Sequence, residues 1–203
     1  MIYFPERKIA IITPPHTASQ HMHKGLCRQP FDGIWVHGPD PYKNQIDHHY
    51  AKIQNSWKLE GVKTYLVVRN PYDRLIGLYL HYEWWTTQPD ICIIPDGVRA
   101  KSIAISWDDN FLKTIREKRD EHWIYSKTIC QIMKDYNARY DKIIRYETLE
   151  EDLSDIMGQP VSLPPKYHYF NIIEDWYKDP NLLDYVNKTW SAEDCNRFGY
   201  DII

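Results

Sequence analysis

Lys8-Ile9-Ala10-Ile11-Ile12-Thr13-Pro14-Pro15-His16-Thr17-Ala18-Ser19-Gln20-His21 begins as one kind of element and ends as another. Its first six residues form a β-branched apolar run that stops at two prolines, the profile of a buried strand. From His16 to Arg28 no further proline occurs, and Thr17 or Ser19 is placed to act as an N-cap, so a helix is predicted there. The loop between them is small and polar. Such a loop offers backbone N–H groups at the positive end of a helix, which suits a phosphate or sulfate group, although many helices begin with Thr or Ser merely as a cap.

The pattern recurs downstream. Val62-Lys63-Thr64-Tyr65-Leu66-Val67-Val68 reads as a strand broken by Asn70-Pro71. Leu75, Leu78, Tyr79 and Tyr82 then place one apolar stripe on a helix over residues 72–83. Residues 84–107 lack periodicity and read as a long excursion, a candidate substrate loop. Helices are predicted over 108–119 and 126–140, a strand over 142–146, a helix over 147–157, a proline-rich loop over 159–168 and a last helix over 181–190 or somewhat beyond. Strands alternating with helices give an α/β fold with a central, mainly parallel sheet flanked by helices, and a ligand at the carboxyl ends of the strands. No repeat or linker divides the chain, so one domain over 1–203 is expected.

At 203 residues the chain can bury a core without disulfides. Its four cysteines, Cys27, Cys92, Cys130 and Cys195, have no C-x-x-C spacing and read as reduced thiols. No apolar run approaches the ~20 residues needed to cross a bilayer. The N-terminus lacks the zones of a secretion signal. A soluble, cytoplasmic protein of microbial or viral setting is therefore expected, with no membrane and no nucleic acid among its partners. Residues 1–83 hold ten Lys/Arg against seven Asp/Glu and seven of the nine His, whereas residues 84–203 hold fifteen against twenty-one. That asymmetry fits an anionic ligand handled by the first part, with a plain surface excess as the bland alternative.

Val68-Arg69-Asn70-Pro71-Tyr72-Asp73-Arg74-Leu75-Ile76-Gly77-Leu78-Tyr79 resembles the 3′-phosphate-binding motif of sulfotransferases, V-R-[ND]-P-x-x-R-[LA]-x-S-x-Y. Residues 15–21 look like that family's 5′-phosphosulfate loop, P-K-[ST]-G-[ST]-[ST]-[SL]. Three further segments fall in family order: His48-His49-Tyr50-Ala51-Lys52 resembles H-x-T-A-K, Ile144-Arg145-Tyr146-Glu147-Thr148-Leu149 resembles R-Y-E-[DN]-L, and Asp194-Cys195-Asn196-Arg197-Phe198-Gly199-Tyr200 resembles the terminal D-x-x-x-F-G-Y. The likeness is closest to the carbohydrate sulfotransferase branch.

The resemblance implies a P-loop-like three-layer fold and an enzyme that uses 3′-phosphoadenosine 5′-phosphosulfate as donor, with no metal. Carried over by position, His16, Thr17, Ala18, Ser19, Gln20 and His21 would cradle the 5′-phosphosulfate and Arg69 would bind the 3′-phosphate. Arginine is suited to this because its guanidinium makes two parallel bonds to a phosphate. His16 stands where the family has lysine and would have to be protonated to serve; the donor's own charge favours that form. It reads as a working substitute, a pH-sensitive one, or a sign of lost activity. Gly77 stands where the family has a serine that contacts the 3′-phosphate. His48 or His49 would take the acceptor's proton, with His48 preferred.

The acceptor would be a glycan or small molecule. The aromatic segments at residues 81–85, 167–170 and 175–177 are candidate acceptor faces, with core packing as their commoner use. Glu150-Glu151-Asp152 reads as a solvated helix face. The alternatives are a catalytically silent nucleotide-binding module of the same fold and, more weakly, a metal-dependent hydrolase. The latter lacks an H-E-x-x-H or a completed H-x-H cluster.

Overall fold

The computed structural model describes residues 1–14, 16–28, 30–35, 61–87, 127–135, 138–164 and 173–203. Among these the elements in chain order are β1 (Ile2–Phe4), β2 (Ile9–Ile12), α1 (Ser19–Leu26), β3 (Ile34–Trp35), β4 (Lys63–Val68), α2 (Pro71–Thr87), α3 (Ile129–Asp135), β5 (Lys142–Arg145), α4 (Leu149–Met157), α5 (Ile173–Trp176), α6 (Pro180–Val186), a π-helical turn (Asn187–Ser191) and α7 (Ala192–Phe198). The helix expected over 108–119 lies outside the described residues. Packing divides the chain into two compact units: residues 1–69 with 129–166, and residues 70–128 with 167–203.

The first unit holds a five-stranded sheet in the order β3-β1-β2-β4-β5. β2 pairs with β4 and β4 with β5 in parallel, while β1 runs antiparallel to both β2 and β3, so β1 alone is reversed. The expected α/β class with a mainly parallel sheet flanked by helices is what the chain adopts. All four residues of β2 and five of the six in β4 are buried, as a parallel sheet covered on both faces requires. On one face Ile9, Ile11, Tyr65, Val67, Ile144 and Tyr146, at the period of two proper to strands, pack with Met22 and Leu26 of α1 and with Leu149, Leu153 and Met157 of α4. β1 was not among the expected strands. It spans three residues and joins β2 through a tight turn in which the Lys8 amide donates to the Pro5 carbonyl (3.1 Å) and Lys8 adopts φ 53°.

The acidic run of α4 is not a solvated face. Glu150 accepts from the Leu163 amide (2.7 Å) and Asp152 from the Arg145 amide (3.2 Å) and the Thr148 hydroxyl (2.8 Å). Ser154 accepts from the Val161 amide at 2.9 Å. These bonds fix residues 161–163 along the helix. Glu151 is the member left exposed.

The second unit has its own core. Asn70 caps α2: its Oδ1 accepts from the amides of Tyr72 (3.0 Å) and Asp73 (3.3 Å), and Pro71 takes the first helical position, where no N–H is needed. The sequence pattern placed one apolar stripe on this helix. Instead residues 71–79 are buried without a break, which covers every face, including those of Asp73 and Arg74. Tyr72 stacks edge-on with Tyr177 (5.3 Å) and Tyr79 with Trp176 (6.0 Å), so this aromatic pair at 176–177 serves the core. α2 also runs four residues into the stretch read as an excursion, and α6, the π-helical turn and α7 follow one another where a single last helix was expected to reach residue 190 or somewhat beyond.

Candidate active site

Register sets the site. Ile12 is paired with Leu66 and Val68 with Arg145, so the residues that follow β2, β4 and β5 emerge side by side at the carboxyl edge of the sheet. These are the loop to Ala18, Arg69 and Tyr146. The Tyr146 amide donates to the Val68 carbonyl (2.8 Å) and carries the pairing one step beyond β5.

The loop turns by two left-handed residues, His16 (φ 62°) and Ala18 (φ 78°, ψ 17°), which flank Thr17. Thr17 is fully buried and spends both its donors inside the loop: its amide (3.1 Å) and its hydroxyl (2.7 Å) go to the Pro14 carbonyl. The N-cap of α1 is therefore Ala18 rather than Thr17 or Ser19, and no side chain caps the helix. The first turn of a helix leaves its N–H groups without an intrahelical acceptor, and the macrodipole makes that end positive. Ser19, Gln20 and His21 form that turn. His23 follows, its imidazole held below its ordinary pKa by desolvation and then by Arg28 and Lys24.

Arg69 is 5% exposed, and its guanidinium donates from Nη1 to the His16 carbonyl at 3.1 Å. Its Cζ lies 4.3 Å from the centroid of the Tyr146 ring, within the range of a cation–π contact. The arginine thus joins the loop after β2 to the end of β5. An uncapped helix start behind a doubly left-handed loop, with a buried guanidinium bonded to that loop, has the make-up of an anion site.

The comparisons agree with this chemistry. The model of a family described as the sulfotransferase family matches residues 16–201. The chain belongs to the sulfotransferase family. It is accordingly a transferase, with sulfuryl transfer as the family's general activity. Comparisons with curated proteins and with solved structures give no match.

Set on this sulfotransferase frame, the expected site residues divide. His16, Thr17, Ala18, Ser19, Gln20, His21 and Arg69 are brought to one place, the sheet edge of the first unit. Gly77 lies in the buried run of α2 in the second unit. His48, His49 and Lys52 lie outside the described residues, as do the aromatic residues 167–170. Among the described residues no three His, Cys, Asp or Glu side chains gather as a metal would need, and no helix is long and apolar enough to cross a membrane.

Tyr146 had no assigned role in the sequence reading, although it sits within the R-Y-E segment. The signal was its place at the end of a predicted strand, matching Arg69 at the end of its own. What was missing was the register that makes them neighbours.

Proposed function

We propose that this sulfotransferase takes 3′-phosphoadenosine 5′-phosphosulfate as donor and passes its sulfuryl group to a hydroxyl or amine of a glycan or small molecule. The observation that carries the reading is the loop from Pro14 to Ala18: it bends left-handed twice, heads an uncapped helix and is bonded to the buried guanidinium of Arg69. The amides of Ser19, Gln20 and His21 receive the 5′-phosphosulfate, and Thr17 shapes the loop that presents them. His16, in the position of the family lysine, supplies positive charge to the leaving phosphate oxygen when protonated. Arg69 anchors the 3′-phosphate; Gly77, in the position of the family serine, offers no hydroxyl to it.

In the transfer the acceptor oxygen or nitrogen attacks sulfur in line with the bond to the phosphate oxygen. The new S–O or S–N bond forms as the bond from sulfur to the phosphate oxygen breaks, the acceptor's proton passes to His48 or His49, and 3′-phosphoadenosine 5′-phosphate departs. No metal takes part in these steps.

Calorimetric titration of the purified protein with 3′-phosphoadenosine 5′-phosphate tests the first requirement. Binding is expected, and Arg69→Ala should weaken it by ~1.5–3 kcal/mol, the scale of a hydrogen bond to a charged group. Absence of binding by the wild-type protein overturns the donor, and unchanged affinity in the variant removes Arg69 from the site.

A further inference from the structure

We infer that Tyr146 is a positioning residue for the donor, acting through Arg69 on the phosphosulfate loop; the inference rests on the donor reading above and adds to it a residue and a coupling. Three observations converge on it. The register Val68 with Arg145 forces residues 69 and 146 together at the strand ends, and the Tyr146 amide locks that juxtaposition through its bond to Val68. The Tyr146 ring is 1% exposed, so its face is fixed by packing, and the guanidinium of Arg69 lies over it at 4.3 Å. Arg69 then reaches the His16 carbonyl, the backbone group of a residue held at φ 62°.

An arginine has several rotatable bonds and would sample many rotamers at an open strand end. Packing on a buried ring removes that freedom before ligand arrives, so the cost of ordering the side chain is met in folding rather than in binding. The bond to His16 has a second effect. A non-glycine residue at positive φ relaxes unless its surroundings hold it, and Arg69 grips the His16 carbonyl. Loss of the ring therefore removes one support of the guanidinium and loosens, through it, the loop. The two ends of the donor, one read by Arg69 and the other by the loop, are coupled through the packing of Arg69 on Tyr146.

Hydrogen–deuterium exchange and calorimetry on wild-type, Tyr146→Phe and Tyr146→Leu proteins test this. Without ligand, Tyr146→Leu should speed exchange over residues 13–22 about tenfold or more, the scale of a desolvated cation–π contact, while residues 149–157 exchange as in wild type. The same variant should lose about tenfold in affinity for 3′-phosphoadenosine 5′-phosphate. Tyr146→Phe, which keeps the ring, should retain wild-type values in both measurements. Exchange that rises equally in both segments shows a merely structural role and overturns the inference, as does full affinity in Tyr146→Leu. If the loop loosens selectively but the wild-type protein binds no nucleotide, the clamp stands and the donor reading falls. Should Tyr146→Leu fail to fold, 3,5-difluorotyrosine at position 146 keeps the shape and weakens the ring face; unchanged exchange over 13–22 in that protein overturns the inference.

Discussion

Ala18 holds a left-handed conformation, φ 78°, at the head of α1, where the family pattern has glycine. An L-residue there pays ~1–2 kcal/mol in sterics. Against that, its methyl is buried in the sheet-facing core, worth ~0.8 kcal/mol. Glycine in its place would also gain unfolded-state entropy, a cost of ~0.4–1 kcal/mol. The terms nearly cancel, which is why an alanine persists where glycine would announce the turn. For the same reason the loop's geometry was not legible in the sequence: neither left-handed residue is a glycine, and the visible cap candidate, Thr17, turned inward to Pro14. Asn70 was legible only as a strand breaker. Its side chain accepts two first-turn amides of α2, so Asn70→Ala should lower stability by ~1 kcal/mol and Asn70→Asp should restore most of it. Chemical denaturation of the two variants checks this; equal losses would mean that the cap contributes nothing.

At the scale of elements, the strands that carry the site were legible because each is a short apolar β-branched run ended by a breaker or a polar residue. β2, β4 and β5 lie within a residue or two of their expected bounds. β1 escaped because three residues carry almost no periodic signal, and the register that joins Arg69 to Tyr146 escaped because pairing between strands distant in sequence leaves no local trace. The fully buried first turns of α2 illustrate the same limit: burial on every face comes from what surrounds the helix, and the stripe of Leu75, Leu78 and Tyr79 describes only part of it. The packing between the end of α1 and β1 makes a sharper test. A Cβ on Gly33 would stand 2.7 Å from the Leu26 carbonyl oxygen and 2.8 Å from side-chain atoms of both Ile2 and Phe4. The oxygen is backbone and cannot swing away. Gly33→Ala should therefore cost ~1–3 kcal/mol, the scale of overpacking, measured as a lowered denaturation midpoint. An unchanged midpoint would show that the approach is looser than these distances.

At the scale of the whole molecule, the order of motifs along the chain carried the family, and alternation of strands and helices carried the α/β class. The division into two units was not legible, because each unit draws on two separated stretches and the V-R-N-P motif itself ends one and begins the other. Groups that burial keeps protonated set a response to alkali. In the second unit burial pushes the Cys195 thiol up to about 11 from an ordinary 9.0, with Asp194 and Asp201 adding to the effect. Burial likewise raises the Tyr177 phenol, helped by Tyr72 and Asp73, and raises that of Tyr72. The sign follows from proton counting. Between pH 9 and 11 the unfolded chain has lost the Cys195 proton that the native protein keeps, so the native state binds more protons and stability falls as pH rises through that window. Below pH 9 both states are protonated and this group contributes no slope. Guanidinium denaturation midpoints at pH 8, 9.5 and 10.5 should therefore decline, and in Cys195→Ala the decline over the first interval should shrink, because there the thiol titrates while the unfolded phenols are still mostly protonated. An equal decline in variant and wild type would assign the alkaline response to other groups that burial raises, the Cys27 thiol and the phenols among them, and remove Cys195 from it.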